Sequence, residues 1–221
     1  MYKYNENRFT ESLLNLGILR VGTLYDFRKS EHKNGIADPT EGKKTVNHHI
    51  EDLHIPDSSD SKYKESSDAR ALEAFRAIKI EGATNITIQN SSLSQVFDVP
   101  DCFIFCTSKI KSKKVMQQFE GADSCLHITD TRAFYSHLTD VINAIVPVRF
   151  KGIHEIIYQD RHEKWNEFDW GHHPAVIKER EFSDQYEIRA IWEPKYKMPI
   201  QPLILANYKL CSTFKKVLEG I

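Results

Sequence analysis

Three short stretches carry side chains with chemical potential. Near the beginning, Lys3 lies between Tyr2 and Tyr4, a spacing that fits a solvated ammonium beside two packed rings. In the middle, the apolar run Cys102-Phe103-Ile104-Phe105-Cys106 ends abruptly in Thr107-Ser108-Lys109. Hydroxyls at the mouth of a strand either close a turn or hold a ligand and orient a catalytic carboxylate by hydrogen bonds. The third stretch is Gln185-Tyr186-Glu187-Ile188-Arg189-Ala190-Ile191-Trp192. In extended register Gln185, Glu187, Arg189 and Ile191 share one face, and Tyr186, Ile188, Ala190 and Trp192 share the other. Glu187 and Arg189 are then neighbours, and as an exposed ion pair they are worth ~0–1 kcal/mol.

The ten histidines include the pairs His48-His49 and His172-His173. Adjacent strand residues point to opposite faces, so neither pair readily chelates one ion, and no metal site is expected. His32 beside Glu31, and His172 beside Trp170 and Pro174, suit loops at the rim of a site, where a neutral imidazole can donate. Cys106 with His127 or His173 as base would make a nucleophilic pair, but only Lys109 is near enough in sequence to lower a thiol pKa. The better reading is a buried structural thiol. The four cysteines, Cys102, Cys106, Cys125 and Cys211, form no C-x-x-C pair, which favours reduced thiols over a disulfide frame.

These residues need a scaffold. The pattern predicts a strand over Tyr2–Tyr4, a helix over Thr10–Leu16 closed by Gly17, and a strand over Ile18–Val21. Leu24 to Glu41 is irregular and rich in Arg, His and acidic groups, as functional loops often are. A strand over Thr45–Ile55, a polar loop over Pro56–Asp68 and a helix from Ala69 to about Ile80 follow. The sheet is expected mostly after residue 80, with strands at Asn85–Gln89, Gln95–Val99, Cys102–Cys106, Ser124–Ile128, Ala144–Phe150, Ile153–Tyr158, Tyr186–Trp192 and Pro202–Leu210. A short helix over Lys113–Phe119 and a longer one from Asp130 or Thr131 to Asn143 complete the set. Helices and strands do not alternate strictly, which predicts an α+β fold with a mixed, mostly antiparallel sheet and flanking helices.

The 221 residues, 40% hydrophobic and 28% charged, suit a single globular domain over 1–221. A net charge of -1 provides no global field for nucleic acid or anionic lipid. No run approaches the ~20 apolar residues of a membrane span, and the opening residues lack a secretory apolar stretch. A cytoplasmic protein without membrane contact is expected.

Taken together, these stretches resemble a bacterial domain-of-unknown-function family. Its members open on a Leu-Tyr-Lys-Tyr-like strand, continue through a Phe-Asn-Asp-Pro-Phe-Glu loop, and close on a Lys…Glu-x-Glu-Tyr-Arg element. The counterparts are Tyr2-Lys3-Tyr4, Leu19-Arg20-Val21-Gly22, Ala37-Asp38-Pro39-Thr40-Glu41, Phe105-Cys106-Thr107-Ser108, Val115-Met116-Gln117, and Lys178 with Gln185 to Arg189. The order also resembles the ADP-ribosyltransferase fold, which places a basic residue on a first strand, hydroxyls at the end of a middle strand and a catalytic Glu on a later one. Here the first is Lys3 rather than Arg or His, and Gln185 stands where many members have a second Glu.

The resemblance implies NAD as co-substrate and Glu187 as the carboxylate that stabilises oxocarbenium charge on the ribose. It implies Ser108 as the group orienting Glu187, with Arg189 beside it. Lys3 or Arg20 would contact a phosphate or ribose oxygen, Thr107 would border the ligand, and Tyr4 or Tyr186 would stack on nicotinamide. A macromolecular acceptor, nucleic acid or protein, and a toxin or anti-phage role with a restraining antitoxin follow from the same likeness. Two other readings stand beside it. One is a non-catalytic module binding nucleic acid or protein through the basic loop Arg28-Lys29-Ser30-Glu31-His32-Lys33. The other is a nuclease-like toxin using His32 or His49 with Glu41.

Overall fold

A computed structural model of the chain describes residues 1–29, 37–58 and 61–218. In chain order these form β1 (Tyr2–Asn5), α1 (Asn7–Leu16), β2 (Ile18–Thr23), β3 (Lys43–Asp57), α2 (Ser67–Ala74), β4 (Thr84–Asp98) and β5 (Phe103–Ser108). There follow α3 (Lys113–Met116), β6 (Ser124–Ile128), α4 (Thr131–Ile145), β7 (Val148–Glu155), β8 (Ile157–Tyr158), β9 (His162–Lys164), β10 (Ile177–Lys178), β11 (Glu187–Pro194), β12 (Leu203–Ala206) and β13 (Phe214–Leu218). The class is α+β, and every strand pair except β8–β10 and β3–β9 is antiparallel.

Where the sequence suggests a single domain over 1–221, the chain groups into two compact units. The larger comprises Met1–Gly42, Val99–Gln159 and Ala175–Ile221; the smaller comprises Lys43–Asp98 and Asp160–Pro174. The smaller unit is a long β3–β4 hairpin with β9 added in parallel to β3 and α2 covering one face. Its core is Ile50, Leu53, Ile55 and Leu72. The two strands expected at Asn85–Gln89 and Gln95–Val99 are one strand here: the pairing with β3 keeps a single register from Lys43 opposite Asp98 to Asp57 opposite Thr84, and Asn90 takes a left-handed φ of 45° without ending the ladder. α2 starts earlier than expected, at a Ser66 cap that accepts from the Ala69 N–H. It stops at Ala74 rather than Ile80, since Arg76 turns left-handed (φ 52°) and Phe75 packs edge-on to Trp165 and Trp170.

The larger unit is built on an eight-stranded sheet with β5 at its branch point. β11 pairs with β5 along its whole length, from Glu187 opposite Ser108 to Trp192 opposite Phe103, and β7 continues the sheet beyond β11. The other edge of β5 is divided. β2 holds its beginning (Gly22 opposite Ile104) and leads to β12, while β1 meets only its end (Tyr2 opposite Ser108) and leads to β6 and β13.

Two helix ends are fixed by local sequence. Gly17 ends α1 in a left-handed turn (φ 63°), its N–H returning to the Leu13 and Ser12 carbonyls. A Cβ there would sit 2.0 Å from the Asn207 carbonyl oxygen, so the close approach demands glycine. On the opposite side, Asp130 caps α4 by accepting from the Ala133 N–H. Phe134, Tyr135, Leu138 and Ile142 then recur at helical spacing and are buried against Phe105, Ala190 and Trp192. No helix among the described residues is long and apolar enough to cross a membrane.

Candidate functional site

The fork between β1 and β2 opens a cavity of about 500 Å³ within the larger unit, a volume ordinary for small-molecule sites. Among the described residues, the stretch of β5 between its contacts with β2 and β1 has no strand partner on that edge. Lys3 supplies a substitute, its Nζ donating to the Cys106 carbonyl at 2.9 Å while lying 5.0 Å from the Phe105 ring centroid. Burial lowers the Lys3 pKa from its usual value, and the Arg20 charge pushes the same way against Cys106 and Glu187. No carboxylate forms an ion pair with Lys3 among the described residues.

Glu187 stands at the cavity's inner wall as the first residue of β11. Its Oε1 accepts from Arg189 Nε at 2.9 Å and its Oε2 from Lys178 Nζ at 3.0 Å. The Cys106 thiol is a further donor, and the Glu187 backbone N–H donates to the Tyr158 hydroxyl at 2.7 Å. Burial alone would raise the carboxyl pKa, but Arg189 and Lys178 hold it well below the usual carboxylate range. Glu187 is thus a fixed anion with no use as a proton acceptor near neutral pH. Burial, helped by the Glu187 charge, pushes the Cys106 thiol up to about 12, so it is no nucleophile.

Behind Glu187 the charges continue. Arg189 reaches Glu41 with two nitrogens, at 2.9 and 3.1 Å, and the Ala175 carbonyl at 2.7 Å. Arg189 and Glu41 are each only 1% exposed, and the two carboxylates raise the arginine pKa further against the desolvation that would lower it. Lys178 also donates to Gln185 Oε1 at 2.7 Å and lies 4.5 Å from the Phe182 ring centroid. The ion pair read as exposed in the sequence is therefore the centre of a buried four-charge cluster.

No protein-family model matches the chain, and neither does any curated protein or solved structure. Its chemistry has to be read from its own geometry.

Of the residues marked in the sequence, Lys3, Tyr4, Arg20, Thr107, Ser108, Glu187 and Arg189 all border this one cavity. Four of them, and Tyr186 outside the cavity, have contacts other than those the resemblance implies. Ser108 Oγ donates to the Gln185 carbonyl at 2.8 Å, so it anchors the turn before Glu187 instead of touching its carboxylate. Thr107 commits its hydroxyl to the Ile188 carbonyl at 3.2 Å. Tyr4 donates to the Ile110 carbonyl and accepts from the Ser112 N–H, both at 2.8 Å, and its ring lies flat against Phe119. Tyr186 adopts φ 45° before the strand begins, which turns its side chain 42% exposed and leaves it outside the cavity lining. Arg20 is paired with Asp26.

Three members of the cluster are not legible in the sequence as a group. Glu41 stands in an irregular segment and Lys178 ends the two-residue β10, where burial of a charge has no sequence signature. Tyr158 lies in a two-residue strand, too short for periodicity to reveal. The pair His48-His49 is separately engaged: His48 Nε2 contacts Asp68 at 2.7 Å, and His49 Nδ1 contacts Ser92 at 3.1 Å. No group of metal-ligating side chains occurs among the described residues. Of the basic segment, Arg28 donates to the Glu41 carbonyl at 2.6 Å and stacks on Tyr25, and Lys29 lies 3.4 Å from Asp26. Ser30, Glu31, His32 and Lys33 lie outside the described residues.

Proposed function

We propose that the chain is an NAD-dependent ADP-ribosyltransferase acting on a macromolecular acceptor. The observation that carries the reading is Glu187, held by Arg189 and Lys178, facing a cavity of about 500 Å³ across which Lys3 and Arg20 supply positive charge. In that arrangement Lys3 and Arg20 bind the pyrophosphate oxygens. The nicotinamide–ribose bond breaks with its electron pair leaving on nicotinamide, and Glu187 stabilises the positive charge left on the ribose. The acceptor's nucleophilic atom forms the new bond at the anomeric carbon and releases its proton. A toxin or anti-phage role, and restraint by an antitoxin, are proposed on the family resemblance.

Ser108 and Gln185 contribute by position. Because Ser108 holds the Gln185 carbonyl and Lys178 holds the Gln185 side chain, the turn that delivers Glu187 to the strand is fixed at two points. The test is incubation of wild type and Glu187→Gln with labelled NAD and cell extract, following nicotinamide release and label on protein and nucleic acid. Transfer by wild type alone is expected. Absence of NAD turnover in every fraction refutes the reading and directs attention to charge-reversed Arg28, Lys29 and Lys33 as determinants of binding without catalysis.

A further inference from the structure

We propose that Glu41 is a positioning residue for Glu187 that acts through Arg189; the inference rests on the transferase reading. A guanidinium is planar, and its N–H groups form a rigid fork, so gripping one edge aims the other. Glu41 grips NH1 and NH2, the Ala175 carbonyl takes NH1 as well, and the remaining edge is left with Nε on Glu187 Oε1. The two glutamates come from opposite parts of the chain, Glu41 lying 148 positions before Arg189.

A guanidinium with one carboxylate neighbour favours a two-bond grip on it. If Glu41 lost its charge, Arg189 would be free to take both oxygens of Glu187, competing with Lys178 for Oε2 and rotating the carboxylate. Glu41 prevents this by occupying the fork, so Arg189 makes one bond to Glu187 and Lys178 the other. The lone pairs not used by these donors and by the Cys106 thiol are left to the cavity. Glu41 borders the same cavity, but Arg189 holds both its oxygens and the Gly42 N–H adds a bond at 3.2 Å, which makes it a support and not a contact for substrate.

Steady-state nicotinamide release by wild type, Glu41→Gln and Glu41→Asp tests the assignment. Displacing a reacting group by ~1 Å costs about 10²-fold in rate, so kcat should fall roughly 10- to 100-fold in Glu41→Gln with KM for NAD within about twofold. Glu41→Asp keeps the charge, shortens the reach and guards against a Gln variant that fails to fold; its kcat should lie between the two. Combined with Glu187→Gln, Glu41→Gln should remove nothing more, because the carboxylate it positions has gone. A further loss in the double variant, KM rising as kcat falls, or Glu41→Asp equal to wild type overturns the proposal. Wild type that releases no nicotinamide refutes the transferase reading instead. The carboxyl-carbon NMR resonance of Glu187 then decides positioning: Glu41→Asp must shift it if Arg189 couples the two groups, and an unmoved resonance refutes the coupling.

Discussion

Replacing Glu187 with Gln should cost stability in a manner that depends on pH. The side chains are nearly isosteric, so no cavity is created and the change is one of charge. Wild type balances two buried cations, Arg189 and Lys178, against two buried anions, Glu41 and Glu187. Gln leaves one cation uncompensated. Removing one partner from a buried ion pair typically costs about 3–5 kcal/mol, and the amide oxygen of Gln can still accept from Lys178 or Arg189, which places the expectation near the lower figure. At roughly 2–4 °C per kcal/mol for a chain of this size, the melting temperature should fall by about 6–12 °C at pH 7.

The folded Glu187 pKa is depressed below its ordinary value of 4.5. Its contribution to stability is therefore complete above about pH 4.5 and is lost as pH falls below that, because the unfolded chain binds a proton that the folded carboxylate refuses. The loss runs at about 1.4 kcal/mol per pH unit. By pH 3 the gap between wild type and variant should have narrowed by about 2 kcal/mol. Calorimetric melts of both proteins at pH 7, 5, 4 and 3 measure this directly. A gap that stays constant down to pH 3, or a Gln variant as stable as wild type at pH 7, would refute the account of Glu187 as a buried anion held by two cations.

Gly17→Ala should destabilise by well over 1 kcal/mol, because a left-handed φ and the Asn207 carbonyl both oppose a Cβ there; urea unfolding measures it. Asp130→Ala should cost about 1 kcal/mol through loss of the α4 cap, visible in the same experiment. Thr139→Val removes the acceptor of the buried Trp192 indole N–H, bonded at 2.8 Å, and should cost about 1–3 kcal/mol. Cys106, with its thiol pushed up to about 12, should resist iodoacetamide at pH 8 in the folded protein and react on unfolding. Peptide mass spectrometry before and after adding denaturant distinguishes the two states.

How far the sequence reveals each feature depends on whether local pattern or long-range partnership decides it. The α+β class, the Gly17 stop, the Asp130 cap and the apolar β5 strand ending in hydroxyls are local, and the structure has each of them. The branching of the sheet at β5 is not local, since it depends on which strands pair, and alternation says nothing about partners. Alternation extended through Gln185 and Tyr186 fails for one residue's backbone: the left-handed Tyr186 breaks the register, so Gln185 is buried by a turn and not by strand alternation.

The clearest signal of the buried cluster is Arg189 itself. It stands in Ile188-Arg189-Ala190-Ile191-Trp192, a run apolar on both sides, as expected for a strand covered on both faces. A guanidinium in such a strand cannot reach water at either face, and leaving its charge unmatched would cost several kcal/mol. It must therefore be met by carboxylates brought to it by the fold. Glu187 is the only acidic residue within reach on the same face of the strand. One carboxylate leaves part of a five-donor fork unsatisfied, which calls for a second acceptor from elsewhere in the chain, and Glu41 is that residue. A lone arginine in a strand apolar on both faces thus points to a buried charge cluster on sequence grounds alone, and its donor count sets how many partners to look for.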